Sequence, residues 1–168
     1  VGGNKDPDVY VGSIDVITGA DSKKVSVVTT VRSKEALFDI SVDIPRKYKK
    51  LLPGDELFAQ LNLLNLGEVG KVDVDIEYII KDFEGNEILS QNEFVAVETT
   101  LSHFKILNLP SDIAYGDYLL IANVKYGDVS SAASDQFEVV SDKTDWWLIF
   151  LIALFIILMI LAVIFFRK

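Results

Sequence analysis

The chain of 168 residues has no cysteine and only one histidine, His103. Without cysteine it has no disulfide, no thiolate nucleophile and no cysteine metal site. A single histidine also excludes the histidine-rich sites that hold zinc, copper or iron within one chain. A Ser-His-Asp triad would need His103, yet the sequence contains no Gly-x-Ser-x-Gly elbow. We therefore expect no catalytic residues and place His103 on the solvent face of a strand.

Basic residues are also scarce, with 16 Lys and Arg against 25 Asp and Glu and a formal net charge of −9. Such a surface repels phosphate backbones, so nucleic acid is not an expected partner. The glycines are scattered in turns and form neither a phosphate-binding loop nor a dinucleotide fingerprint. We therefore expect no cofactor.

Charged and polar side chains are missing from residues 146–166, an apolar run of 21 residues. At ~1.5 Å rise per residue the run would form a helix of roughly 32 Å, which matches a hydrocarbon core of ~30 Å. It contains neither the ionisable groups that transport requires nor the small-residue spacing of tightly crossed helix pairs. We predict a single-pass transmembrane anchor in the lipid bilayer, with Trp146 and Trp147 at the membrane interface.

Basic residues flank this run unevenly, because Arg167 and Lys168 follow it and only Lys143 lies shortly before it. The positive-inside rule therefore favours a cytoplasmic tail at 167–168 and a folded domain outside. The first residue, Val1, is compatible with a removed signal peptide or with a trimmed fragment. If no signal peptide existed, the same span would instead anchor a cytosolic domain. We expect the extracellular arrangement, with other envelope or membrane proteins as partners.

Residues 36–140 alternate apolar and polar side chains, which is typical of β-strands. The alternation is clearest at 38–44, 57–63 and 72–80, and turn residues such as those at 53–55 and 84–86 separate the segments. About seven short strands with one apolar face each predict an all-β, Ig-like antiparallel sandwich. The aromatic residues that we expect in its core are Phe58, Tyr78, Phe94 and Phe104.

Two segments flank this predicted sandwich. Residues 1–35 contain two apolar patterns between loop-like stretches, so they form either the end of a preceding module or an extra hairpin. Residues 141–145 are polar and predict a short tether that keeps the sandwich close to the bilayer.

Carboxylates cluster around one predicted turn, at Asp82, Glu84 and Glu87. They are weak candidates for Ca²⁺ ligands, because their spacing does not match the twelve-residue calcium loop. We interpret them as a solvated hairpin turn and expect no metal site. Acidic pairs for glycoside hydrolysis would need a cleft that the sequence does not indicate.

Residues 52–57 (LPGDEL) and 63–67 (LLNLG) resemble the opening of CARDB-type and related Ig-like envelope modules, the cell-adhesion-related domains of bacteria and archaea. Residues 110–118 (PSDIAYGDY) are similar to the turn into their sixth strand. The resemblance covers about residues 36–140 and implies display, spacing or adhesion, with no catalytic set. Physically, Gly54 and Gly67 suit turn positions with positive φ, and Tyr118 suits a tyrosine corner.

Two classes of function remain. The first is a noncatalytic membrane-anchored envelope module that binds or supports other proteins through sheet edges and loops. The alternative is a single-span accessory subunit of a larger secretion or transport complex.

Overall fold

The computed structural model describes residues 8–19, 21–31, 37–67, 70–141, 150–152 and 154–156. Up to residue 141 these residues form ten β-strands and one short 3-10 helix, Arg46–Tyr48. The strands are β1 (Asp8–Thr18), β2 (Asp21–Val31), β3 (Phe38–Asp43), β4 (Lys50–Leu51), β5 (Glu56–Asn65), β6 (Val72–Asp82), β7 (Glu87–Val97), β8 (Thr100–Asn108), β9 (Gly116–Tyr126) and β10 (Val129–Val139). This part of the chain is therefore all-β, as the alternation predicts.

The strands from β3 onwards form two sheets that pack face to face. One has the strand order β4-β10-β9-β6-β7 and the other the order β3-β5-β8. All neighbouring strands are antiparallel except β4, which runs parallel to the end of β10. The apolar sides of both sheets contribute to one continuous core, so the fold is a β-sandwich.

Every second residue of the central strands is buried in this core. Leu57 and Leu61 on β5 and Ile76 and Ile80 on β6 have at most 1% of their surface exposed. Burying a side chain of this size contributes about 1.5 to 3 kcal/mol, so these positions fix which face of each strand points inward. The inward faces predicted for 38–44, 57–63 and 72–80 are confirmed by this burial.

The first two strands form a separate antiparallel hairpin, with Asp8 opposite Val31 and Thr18 opposite Asp21. Val9 is buried at the base of the hairpin and attaches it to the outer face of the five-stranded sheet. The residues that form this contact with Val9 are Ile79, Leu119, Ile121 and Ala132. Towards its tip the hairpin is exposed, as Ile17 shows with 73% of its surface accessible.

The segment that follows β3 crosses to the edge of the other sheet and is held there by β10. The Asp135 carboxylate accepts a 2.7 Å hydrogen bond from the Ile44 N–H and forms an ion pair with Lys49. Val140 N–H donates to the Leu51 carbonyl at 2.8 Å, so the pairing extends to the last residues of the sandwich. The chain therefore leaves the sandwich from a fixed position beside β4.

In the part of the chain that the structure describes, no helix is long and apolar enough to cross a membrane. Residues 150–152 and 154–156 are helical, and the other residues of the predicted span 146–166 lie outside the described residues.

Candidate functional site

Four side chains with polar groups meet at the edge of the sandwich where β7 and β8 approach each other. Glu93 on β7 receives contacts from Tyr78 on β6 and from His103 and Lys105 on β8. We call these residues the Glu93 cluster. It joins the five-stranded sheet to the three-stranded sheet through polar contacts.

Strand register explains why these polar residues point inward. His103 pairs with Leu61 and Lys105 with Ala59, and both partners are core residues of β5. Because directly paired residues lie on the same face of a sheet, His103 and Lys105 also face the other sheet. The prediction of a solvent-facing His103 is therefore wrong, since its strand directs it towards Glu93.

The contacts within the Glu93 cluster are short and use both carboxylate oxygens. The Tyr78 hydroxyl donates to Oε1 at 2.8 Å, and the Lys105 ammonium donates to Oε2 at 2.8 Å. His103 Nε2 lies 3.1 Å from Oε1, and Lys105 Nζ lies 4.8 Å from the centre of the Tyr78 ring. The Lys105 side chain is only 14% exposed, so its charge is largely removed from water and depends on Glu93.

These contacts determine the protonation states of the cluster. Burial by itself would raise the pKa of the Glu93 carboxyl, but the hydrogen bonds from Lys105 and Tyr78 outweigh it and the pKa lies below its ordinary value. Burial raises the pKa of the Tyr78 hydroxyl well above its usual range, and the adjacent Glu93 carboxylate adds to the shift. Glu93 is therefore ionised and Tyr78 neutral at pH 7. With both of its oxygens engaged, the carboxylate is suited to holding the two sheets together rather than to accepting a proton from a substrate.

The aromatic residues expected in the core are divided between core and surface. Tyr78 is buried in the core, as predicted. Phe58 is only partly buried, because it pairs with Ile106 on the outer face of the three-stranded sheet and stacks there on Tyr48 with 4.4 Å between ring centres, so its assignment to the core is wrong. Phe94 and Phe104 are exposed over 79% and 68% of their surface, so their assignment to the core is wrong. They lie on the outward positions of β7 and β8, because Glu93, His103 and Lys105 take the alternate inward positions.

Tyr118 lies at the corner where the chain enters β9. Its side chain is 4% exposed, and its hydroxyl donates a 2.8 Å hydrogen bond to the carbonyl of Ala114. Its ring stacks on Phe137 with 5.7 Å between centres. Burial raises the pKa of the hydroxyl, and the negative charges of Asp82 and Glu84 raise this pKa further. This geometry ties the loop before β9 to the core, which is the role of a tyrosine corner.

The two sequence motifs at 52–57 and 110–118 contact each other at this end of the sandwich. The Gly54 N–H donates to the Pro110 carbonyl at 3.2 Å, and Gly54 has a φ of 85°, which glycine adopts without strain. The Asp55 carboxylate accepts a 2.8 Å hydrogen bond from the Leu52 N–H. In the other predicted turn, the Gly67 N–H donates to Asn65 Oδ1 at 3.0 Å. The hydrogen bonds of these residues stabilise turns, so we assign the residues a structural role.

The Asp82 carboxylate forms hydrogen bonds within its own turn. Its carboxylate accepts hydrogen bonds from the Glu84 N–H at 3.0 Å, the Asn86 N–H at 2.8 Å and the Asn86 side chain at 2.7 Å. Burial would raise its pKa, but these bonds together hold the pKa below its ordinary value. Glu84 and Glu87 are exposed. Among the described residues, no group of three or more His, Cys, Asp or Glu is placed to hold a metal ion.

The residues predicted to lie at the membrane interface are Trp146, Trp147, Arg167 and Lys168, and all four lie outside the described residues. Most of the predicted tether, residues 142–145, also lies outside them. Their roles remain predictions from the sequence.

No protein-family model matches this sequence, and no curated protein matches it significantly. Among solved structures, the fold is similar to the sporulation control protein Spo0M from Bacillus subtilis, with a TM-score of 0.48 and 14% identity over 63% of this chain and 50% of that one. A family 123 glycoside hydrolase from Clostridium perfringens is similar with a TM-score of 0.46 and 12% identity, over 63% of this chain and 28% of the hydrolase. The CARDB domain of a Pyrococcus furiosus protein, in complex with di-metal ions, is similar with a TM-score of 0.45 and 12% identity, over 67% of this chain and 95% of that domain.

This chain thus spans about half the length of Spo0M and 28% of the hydrolase. All three TM-scores are below 0.5, so the proposals below depend on the geometry of this chain.

Proposed function

We propose that this chain is a noncatalytic module of the cell envelope, in which an Ig-like sandwich of CARDB type is held at the outer side of a membrane by a helix at 146–166. Residues 167–168 then lie on the cytoplasmic side of the membrane. Its role is to bind or support other envelope proteins through the exposed faces and edges of the sandwich.

The observation that carries this proposal is the exposure of the apolar helical residues after the sandwich. Phe150 and Phe155 expose 59% and 66% of their surface. The other described helical residues, Leu151, Ile152, Leu154 and Ile156, are exposed over 42% to 53%. Leaving one such side chain in water costs about 1.5 to 3 kcal/mol relative to burial. A hydrocarbon environment removes this cost on every side of the helix, which supports its insertion into a bilayer.

The noncatalytic role is supported by the geometry of the polar groups. Both oxygens of the Glu93 carboxylate accept hydrogen bonds, one from Tyr78 and the other from Lys105. The Asp82 carboxylate accepts hydrogen bonds from within its own turn. In contrast, the outward faces carry exposed aromatic side chains at Phe94 and Phe104, which are typical of contact surfaces rather than of reaction centres.

The anchor is tested by extraction of membranes that contain the full chain with alkaline carbonate. The unmodified chain should stay in the membrane fraction, whereas the double substitution Leu154→Arg and Phe155→Arg should release it. Each arginine near the centre of a membrane helix costs about 2.5 to 3.5 kcal/mol. A matched control is Ile17→Arg, which changes an exposed apolar residue of the β1-β2 hairpin and should leave the chain in the membrane. Release of the unmodified chain would contradict the anchor.

Orientation is tested with protease added to intact spheroplasts. The sandwich should be degraded while a cytoplasmic marker stays intact. Protection of the sandwich until the membrane is permeabilised would give the opposite orientation. Purification in mild detergent provides a further test, because stoichiometric recovery with multi-span proteins would favour an accessory subunit of a larger complex.

A further inference from the structure

The β1-β2 hairpin turns an apolar face away from the sandwich. Val9 packs on the five-stranded sheet, and side chains alternate along a strand, so Tyr10 and every second residue after it point to the opposite side. Directly paired residues share a face, so β2 contributes the partners of these residues. We call this side the hairpin face, and its middle consists of Tyr10, Gly12 and Ile14 on β1 and Val25, Val27 and Thr29 on β2.

Apolar side chains lie next to each other on the hairpin face and are exposed to water. Ile14 and Val16 expose 58% and 51% of their surface. On the other side of β1, the polar residues Ser13 and Asp15 separate the exposed Ile17 from the base of the hairpin. A two-stranded hairpin is only marginally stable by itself, and a continuous exposed apolar surface is typical of an interaction site. Covering the hairpin face should therefore stabilise the hairpin.

Gly12 leaves a hole in the middle of the hairpin face. Its φ is not positive, so the backbone conformation does not require glycine. Apart from its chain neighbours, a Cβ at Gly12 would meet no atom within 4 Å, so the space inside the chain does not require glycine either. Glycine inside a strand often marks the close approach of another backbone or a ligand. The next outward residue, ~7 Å away along β1, is the projecting Ile14.

A hole beside a projecting side chain makes the hairpin face complementary to itself. Consider a twofold axis in the plane of contact, perpendicular to the strands and midway between Gly12 and Ile14. This axis reverses the strand direction and places β1 on β1 of a second copy, so that Ile14 of each copy packs into the hole at Gly12 of the other. It also places Val25 over Val27 of the second copy, because Val25 pairs with Ile14 and Val27 with Gly12. The contacts nearest the axis are therefore apolar.

The charged residues of the hairpin face favour this antiparallel arrangement over a parallel one. Asp8 lies at the base of the face, and Asp21 and Lys23 lie at its tip. A parallel arrangement would bring the two Asp8 side chains to one end of the interface and the two Lys23 side chains to the other, so like charges would lie close together. In the antiparallel arrangement, each end combines Asp8 of one copy with Asp21 and Lys23 of the other, so each anionic Asp8 is near a cation.

We propose that two copies of this chain associate through the hairpin face, with antiparallel hairpins and with Ile14 of each copy seated at Gly12 of the other. Each strand has 11 residues and is therefore ~34 Å long. With a width of ~10 Å for two strands, the two copies together bury on the order of 700 Å², which is typical of weak interfaces. We therefore expect a micromolar or weaker dissociation constant. This inference goes beyond the proposed function and does not depend on the membrane topology.

Association is tested by sedimentation equilibrium of the full chain in a density-matched detergent, over a wide range of chain concentrations. We expect a reversible equilibrium between monomer and dimer. A chain that stays monomeric up to submillimolar concentration would overturn the proposal, and so would open-ended association, because a twofold interface closes at two copies.

Filling the hole separates a specific fit from general apolar association. Gly12→Ile places a side chain where the chain itself has open space, so the hairpin should remain folded. Because the added side chain overpacks the contact with Ile14 of the second copy, the variant should weaken dimerisation by about tenfold or more. General apolar association would instead become stronger, because the variant exposes one more apolar side chain. Stronger association of Gly12→Ile would overturn the proposal.

Exchanging the two residues tests the position of the twofold axis. Ile14→Gly removes the projecting side chain and should weaken dimerisation, whereas the double substitution Gly12→Ile and Ile14→Gly should restore it, because the axis again places an isoleucine over a glycine. Failure of the double variant to recover would overturn the proposal. The matched control is Ile17→Gly, since Ile17 is 73% exposed on the other side of the hairpin and should not contribute. A loss equal to that of Ile14→Gly would also overturn the proposal. Circular dichroism of each variant identifies any loss of folding.

Discussion

The hydroxyl of Tyr78 donates a 2.8 Å hydrogen bond to the carboxylate of Glu93, which lies on the neighbouring edge strand. Tyr78 is 1% exposed, so this bond connects the middle of the apolar core to a charged residue at the margin. Lys105 completes the arrangement from the opposite sheet at 2.8 Å. The two sheets are thus joined at this edge by a polar contact in addition to apolar packing.

The ion pair between Glu93 and Lys105 should contribute measurably to stability. Lys105→Met removes the ammonium while keeping most of the apolar stem, and we expect it to lower the free energy of unfolding by about 1 to 3 kcal/mol. The reason is that the side chains are only 14% and 23% exposed, so Glu93 would lose a partner that water cannot fully replace. Urea unfolding followed by far-UV circular dichroism measures the change.

A surface pair provides the control for this effect. Lys125→Met breaks the 3.4 Å pair with Glu77, whose lysine is 53% exposed, and should change the free energy of unfolding by less than about 1 kcal/mol. A double-mutant cycle with Glu93→Gln and Lys105→Met should give a coupling energy larger than the cycle for Glu77 and Lys125. Equal couplings would show that the Glu93 cluster behaves like an exposed pair.

The stability of the sandwich should decrease in acid through Glu93. Its folded-state pKa is lower than its ordinary value, so its contribution is fully present above the unfolded pKa of about 4.5 and is lost as pH falls through the folded pKa. In Glu93→Gln the melting temperature should therefore fall less steeply below about pH 4.5. The pKa of Asp82 also lies below its ordinary value, so the acid dependence of the melting temperature in Asp82→Asn measures the contribution of Asp82 alone. An unchanged acid slope in Glu93→Gln would contradict this assignment.

The sequence predicts the central strands well because their two faces differ strongly. Leu57 to Leu63 and Val72 to Ile80 place apolar residues at every second position, and only one register buries them. For residues 1–35 the sequence allows two interpretations, an extra hairpin or the end of a preceding module, because the alternation there is weaker. In the structure β1 and β2 form a hairpin, and Gly19 in its turn has a positive φ.

The edge strands show where sequence patterns fail. In β8, His103 and Lys105 share one face while Phe104 and Ile106 share the other, and hydrophobicity alone assigns the aromatic face to the core. The pairing of His103 with Leu61 reverses this assignment. The opposite charges of Glu93 and Lys105 are compatible with an ion pair. They predict this contact only once β7 and β8 are known to lie side by side. The Glu93 cluster cannot be predicted from the sequence for this reason.

Tyr118 should stabilise the sandwich through its hydroxyl and its ring separately. Tyr118→Phe removes the 2.8 Å hydrogen bond to the Ala114 carbonyl and should cost about 1 kcal/mol. Tyr118→Ala also removes a ring that is 4% exposed and stacked on Phe137, and should cost about 3 to 5 kcal/mol. Tyr115→Ala is the control, because Tyr115 is 67% exposed in the same loop and should have little effect. Equal midpoints for all three variants in urea would refute the tyrosine corner.

The turn at Asp82 should be stable without calcium. Three donors from Glu84 and Asn86 already occupy the Asp82 carboxylate at 2.7 to 3.0 Å, so a cation would have to displace them. We expect Ca²⁺ to bind with a dissociation constant of about 0.1 to 1 mM or weaker. Titration calorimetry measures this directly, and the melting temperature should be the same with and without chelator. Asp82→Ala should lower the melting temperature equally in both conditions, because the lost interactions are hydrogen bonds within the turn, whereas Glu87→Gln should leave it unchanged. Micromolar binding of Ca²⁺, or a loss of stability on chelation that Asp82→Ala abolishes, would show that these carboxylates converge on an ion.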